Sequence, residues 1–262
     1  MKIALIQLNI TVEAKQTNYK RAESFIKEAA QEACDVAVLP ELFSTGYSGN
    51  TSAMADEEGE TASVLAKLAK EYNMNLIAGF TEKATGSKKA DNVAAVYNRQ
   101  GELVTKYTKI HPFTFTREDH YFTSGDRLVT FDLEGIPSGI FICYDLRFPE
   151  IFRSIAKNVH LMFIVANWPT RRRDHWETLL KARAIENQCF VIGVNRTGTD
   201  HQGLHFPGAS HIFDPWGKVI CSGNETEELV SADIDPEEVT KVRTTFPFLQ
   251  DMHPFHIVLV DK

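Results

Sequence analysis

Gly139-Ile140-Phe141-Ile142-Cys143-Tyr144-Asp145-Leu146-Arg147-Phe148-Pro149-Glu150 changes character at Cys143. Ile140 to Cys143 is a short apolar run, the signature of a buried strand. A charged turn follows it. Pro149 then suits the first turn of a helix, where its missing N–H leaves no bond unmade. The helix is read as running to about Lys157.

The same rhythm extends on both sides. Upstream, residues 3–8 read as a strand. Asn18 to Ala33 reads as a helix with Ala22, Phe25, Ile26 and Ala29 on one face, and Asp35 to Leu39 as a second strand closed by Pro40. Ala62 to Tyr72 follows as a helix. Asn75 to Phe80 and Asn92 to Asn98 read as a hairpin around the polar turn 85–89, and a further strand runs through Lys106 to Lys109. Downstream, His160 to Ala166 and Cys189 to Val194 are strands flanking a helix over Asp174 to Gln188. Asp214-Pro215-Trp216-Gly217 joins the strands 210–213 and 219–221. Residues 50–60 are the longest expected loop. Crossover helices mixed with hairpins predict an α/β chain of two sheets with helices outside, and one domain over residues 1–262.

Composition narrows the function. The 262 residues are 43% hydrophobic and 24% charged, as in ordinary globular proteins, so a large core needs no disulfide or metal staple. The net charge of -7 excludes a strongly basic nucleic-acid footprint. No apolar run reaches membrane-spanning length, and the N-terminus lacks the pattern of a signal peptide. The four cysteines, Cys34, Cys143, Cys189 and Cys221, are widely spaced, which fits reduced thiols in the cytoplasm. Neither a metal nor a cofactor is implied, because the histidines are scattered and no cysteine pair has zinc spacing.

Three expected strands end in a reactive residue: Glu41, Lys109 and Cys143. Function gathers at the carboxyl ends of strands in open α/β sheets. Each residue alone has a plainer reading, as a solvated glutamate, a surface lysine and a core cysteine; Cys34, Cys189 and Cys221 are read as core. Together they make a site for acyl transfer. Cys143 is the nucleophile and Glu41 the base that takes its proton. Lys109 and the N–H of Tyr144 stabilise the tetrahedral oxyanion. The helix start after Cys143 is expected to lower the thiol pKa.

Leu39-Pro40-Glu41-Leu42-Phe43, Tyr107-Thr108-Lys109-Ile110-His111-Pro112-Phe113 and Ile142 to Glu150 resemble, in order, the three signature segments of the nitrilase superfamily of carbon–nitrogen hydrolases. The resemblance spans nearly the whole chain. It implies a four-layer α-β-β-α sandwich, a Glu41–Lys109–Cys143 triad acting through a thioester, and dimers or larger homo-oligomers. It also implies a second glutamate that orients the lysine or the substrate, and Glu118 stands where that residue is expected. A surface-loop acid is the plain alternative for Glu118. Pro112 departs from the leucine of many relatives, outside the triad.

Ala166-Asn167-Trp168-Pro169, Arg172, His175-Trp176, the run 182–188 and the run 193–200 resemble the ω-amidase branch. Enzymes of that branch deamidate 2-oxoglutaramate and 2-oxosuccinamate. Such substrates carry a free carboxylate, which an arginine binds bidentately. Arg147 and Arg172 are the candidates, with Tyr144 and Trp168 lining the pocket. An ion pair of Arg147 with Glu150 or Asp145, and a solvated loop for Arg172, remain open at this point. His175 and Glu186 read as scaffold, and Trp176 as core. Other amidases, N-carbamoyl amidases and nitrilases would use the same triad, and a binding protein that kept the fold is the non-enzymatic alternative.

Overall fold

A computed structural model describes residues 1–56, 59–254 and 256. In chain order the strands are β1 (Lys2–Gln7), β2 (Val36–Val38), β3 (Asn75–Lys83), β4 (Ala90–Tyr97), β5 (Leu103–Thr108), β6 (Thr130–Leu133) and β7 (Ile136–Ile142). They continue as β8 (Leu161–Ala166), β9 (Phe190–Asn195), β10 (Thr197–Thr199), β11 (His205–Pro207), β12 (His211–Phe213), β13 (Val219–Ser222) and β14 (Glu228–Asp233). The helices are α1 (Lys15–Gln31), α2 (Thr51–Met54), α3 (Glu60–Glu71), α4 (Glu118–Tyr121), α5 (Pro149–Ile155), α6 (Arg173–Asn187) and α7 (Glu237–Thr245).

Among the described residues the strands form two six-stranded sheets, ordered β14-β1-β2-β3-β4-β5 and β13-β12-β9-β8-β7-β6, with β10 and β11 as a separate pair. The centre of each sheet is parallel: β1 with β2 and β3, and β7 with β8 and β9. The hairpins lie toward the edges.

Alternation along the strands explains the layers, because successive side chains leave a strand on opposite faces. Ile3, Leu5, Val36, Val38 and Ile77 of one sheet pack against Ile140, Ile142, Phe163 and Val165 of the other. The interleaved Ala4, Ile6, Ala37 and Leu76 meet Tyr19, Ala22, Ile26 and Leu65 of α1 and α3. On the far side, Phe141, Met162, Ile164 and Val191 meet Phe152, Trp176 and Leu180 of α5 and α6. The result is the expected four-layer α-β-β-α sandwich. No helix among the described residues is long and apolar enough to cross a membrane.

The expected hairpins form, and β3–β4 is longer than read. The expected loop 50–60 holds the short helix α2. Asp56 then accepts the N–H groups of Thr61 (2.8 Å) and Ala62 (3.2 Å), satisfying donors at the start of α3. Residues 57–58 lie outside the described residues. Cys34 and Cys189 are buried as read, but Cys221 is half-buried, because β13 is an edge strand.

Candidate active site

Glu41, Lys109 and Cys143 each follow directly on a strand or its immediate extension, at the carboxyl ends of β2, β5 and β7. The sandwich brings these ends to one cavity of about 440 Å³, which the three residues line together with Glu118.

The chain bends sharply at both Glu41 and Cys143. Cys143 adopts φ +46° and Leu42, directly after Glu41, φ +49°. Non-glycine residues rarely occupy this left-handed region, and the strain gathers at functional sites. A 3₁₀ turn over Cys143–Arg147 follows the nucleophile. Tyr144 is its second residue, so its N–H lacks a partner within the turn.

Lys109 is the hub. Its Nζ donates to Glu41 Oε1 at 2.8 Å and to both oxygens of Glu118 at 2.9 Å. All three side chains are at most 3% exposed as residues. Buried charges at that depth need complete hydrogen bonding. The carboxylates have it: Asn92 Nδ2 donates to Glu41 Oε1 (2.8 Å) and Glu118 Oε1 (3.1 Å). The N–H of Asn167 donates to Glu41 Oε2 (2.8 Å), and that of Phe113 to Glu118 Oε2 (2.7 Å). Burial acts to lower the Lys109 pKa, but Glu118 and Glu41 outweigh it and hold the ammonium well above its ordinary value. Glu118 is therefore no surface-loop acid. It clamps the lysine.

The thiol goes the other way from the sequence expectation. Burial pushes the Cys143 pKa well above the ordinary value, and the charge of Glu41 adds to this, while Lys109 opposes it. The start of one 3₁₀ turn does not offset desolvation beside a carboxylate. A thiol pKa raised in this way suits a neighbouring proton acceptor, and Glu41 lines the same cavity.

Asp145 is a structural pivot that the sequence reading missed. It is fully buried and accepts hydrogen bonds from Tyr107 Oη (2.7 Å), the N–H groups of His111 (3.0 Å) and Ile142 (3.1 Å), and His111 Nδ1 (2.8 Å). It ties the nucleophile turn to the segment after Lys109. Asn92 was also missed. Its only signal was one polar residue opening the apolar run Val93-Ala94-Ala95-Val96.

The candidate binding residues converge on the same cavity. Trp168 is 2% exposed, and its Nε1 donates to the carbonyl of Arg172 at 2.7 Å. Arg147 lies over the Trp168 ring at 4.8 Å and near the Tyr144 ring at 5.9 Å. Arg172 lies over Phe113 at 5.3 Å. Among the described residues neither arginine forms an ion pair. Arg147 pairs with neither Glu150 nor Asp145, and Asp145 is taken up by its four donors. Nor is Arg172 in a solvated loop. It is half-buried, and burial, then Arg171 and Arg147, lower its pKa. Trp176 is wholly buried, as read, with Nε1 donating to the carbonyl of Ala209 at 2.7 Å.

A family model for carbon–nitrogen hydrolases matches residues 2–244. The 2-oxoglutaramate amidase of Bacillus subtilis is 40% identical over 253 residues, covering 95% of this chain and 96% of the relative. The omega-amidase NIT2 of Homo sapiens is 34% identical over 274 residues, covering 100% of this chain and 98% of the relative. Among solved structures, XC1258 from Xanthomonas campestris, a CN-hydrolase superfamily protein with an arsenic adduct in its active site, has a TM-score of 0.92 at 28% identity, covering 98% of this chain and 99% of that one. Nit3 of Saccharomyces cerevisiae has a TM-score of 0.86 at 29% identity, covering 94% of each chain. With Glu41, Lys109 and Cys143 lining one cavity, these similarities identify a hydrolase of carbon–nitrogen bonds other than peptide bonds: the chain belongs to the carbon–nitrogen hydrolase family, in the ω-amidase branch of the nitrilase superfamily.

Proposed function

We propose that this amidase hydrolyses the ω-amide of a small 2-oxo dicarboxylic acid monoamide, 2-oxoglutaramate or 2-oxosuccinamate, to ammonia and the 2-oxo acid. The observation that carries the reading is the pair Arg147 and Arg172, which face the cavity of Cys143 with no carboxylate partner among the described residues. An uncharged amide has no use for two unpaired cations. A substrate carboxylate relieves their repulsion and makes charge-assisted bonds. The names of the relatives from Bacillus subtilis and Homo sapiens support the same substrate class.

In the proposed sequence, Cys143 Sγ attacks the amide carbon while Glu41 takes the thiol proton. Negative charge develops on the amide oxygen, where Lys109 Nζ and the Tyr144 N–H stabilise it. Collapse of the intermediate breaks the C–N bond. Glu41 returns the proton to the leaving nitrogen, and ammonia departs from a Cys143 thioester. Water, deprotonated by Glu41, then attacks the thioester carbon, releasing the carboxylic acid and restoring the thiol. Glu118 holds Lys109 throughout.

The test is ammonia release from 2-oxoglutaramate, 2-oxosuccinamate, a short uncharged amide, an N-carbamoyl amino acid and a nitrile. The highest kcat/KM is expected for one of the first two. A higher value for the carbamoyl compound or the nitrile would overturn the substrate assignment while leaving the triad standing.

A further inference from the structure

Arg147 has one further contact: its Nη2 lies 3.2 Å from His175 Nδ1. A guanidinium has donors only, so Nδ1 must present its lone pair. The bond thus requires the tautomer that carries its proton on Nε2. His175 comes from the first turn of α6, and its neighbour Trp176 anchors that turn in the core. The helix is thereby set so that the imidazole faces the nucleophile turn.

The chemistry of this partner is telling. A carboxylate at position 175 would also hold Arg147, but it would cancel the charge that an anionic substrate must find. A neutral acceptor orders the side chain and leaves the charge intact. Trp168 covers one face of the guanidinium and His175 takes one donor, so an edge remains for a bidentate carboxylate. Ordering a flexible arginine before binding removes part of the entropic penalty of binding.

Resting on the carboxylate reading above, we infer that His175 is a positioning residue that preorganises Arg147 for the substrate carboxylate. The measurement is steady-state kinetics of the full chain on 2-oxoglutaramate and on butyramide, for Arg147→Met, His175→Ala and His175→Asn. The Oδ1 of asparagine can replace Nδ1 as the acceptor. Arg147→Met should shift the ratio of specificity constants toward butyramide at least about tenfold. His175→Ala should raise KM for 2-oxoglutaramate about fivefold, with kcat changed less than about twofold, as one neutral hydrogen bond would. His175→Asn should recover most of that loss. If Arg147→Met shifts the ratio and His175→Ala leaves KM at the wild-type value, the positioning role is wrong and the carboxylate reading survives. The role is also wrong if His175→Ala lowers kcat on both substrates alike and asparagine rescues neither. An unchanged ratio in Arg147→Met would remove the carboxylate reading itself, and the role of His175 with it.

Discussion

Gly79 and Glu41 are in backbone contact: a Cβ at position 79 would stand 2.6 Å from the Cα of Glu41. The two segments are also hydrogen-bonded, with Phe43 N–H donating to Gly79 O at 2.7 Å and Gly79 N–H to Pro40 O at 3.2 Å. Glu41, the base of the proposed reaction, thus rests on a bare stretch of β3. Gly79→Ala is expected to displace Glu41, lower kcat at least about tenfold, and cost about 1 to 3 kcal/mol of stability through overpacking. A fully active and equally stable alanine variant would show that the strand yields without moving the base.

Cys143→Ala is expected to reduce ammonia release at least about a thousandfold. It removes one sulfur and should leave the melting transition almost unmoved. In the wild-type protein, the raised thiol pKa means that iodoacetamide should alkylate Cys143 faster as pH rises, without a plateau near neutrality. A pH-independent alkylation rate between about pH 6 and pH 8 would mean a preformed thiolate.

Glu41→Gln keeps the shape but loses the proton acceptor. A fall in kcat of about a hundred- to ten-thousand-fold is expected, with KM changed far less. A variant that alters only KM would reduce Glu41 to a substrate contact.

Lys109→Met should lose at least about 3 kcal/mol of transition-state stabilisation. It should also melt earlier, because Glu41 and Glu118 would then share a buried site without their cation. Lys109→Arg should be severely impaired, since a planar guanidinium cannot occupy the space of an ammonium held 2.8 to 2.9 Å from two carboxylates. Wild-type turnover in the arginine variant would show that diffuse positive charge suffices.

Arg99 binds Asp35, directly before β2 of one sheet, and Glu134 of the β6–β7 turn of the other, and Asn75 Nδ2 donates to Glu134 at 2.7 Å. The hydrogen bond from Arg99 holds the Glu134 carboxyl below its ordinary 4.5. Burial acts to raise Asp35, but the N–H of Lys2 and then Arg99 outweigh it and hold it below 3.8. With folded values below unfolded ones, the contribution is complete above those pKa values and is lost as pH falls through the folded ones. Arg99→Met should therefore be less stable near neutrality and lose less stability between about pH 5 and pH 3. Parallel stability curves for the two proteins would exclude the linkage.

Residues 39–43, 107–113 and 142–150 were legible as sequence because their information is local. An apolar run ending in a reactive side chain is set by neighbours along the chain, and so is a proline opening a helix. That was enough for most of the strands, for the layered fold, and for naming Glu41, Lys109 and Cys143 as candidates. β14 was not legible, because Glu228-Leu229-Val230-Ser231-Ala232-Asp233 is half-exposed and lacks a clean alternation; only pairing with β1 makes it a strand. The tertiary structure alone decided what surrounds the reactive groups. Asn167 reaches Glu41 across 126 residues, and Asn92 reaches it across 51. Asp145 is a saturated acceptor rather than the partner of Arg147. Desolvation sets the direction of the Cys143 pKa shift. Hydrogen bonding and dielectric environment depend on which segments the sheets bring within about 3 Å, and no local pattern encodes that.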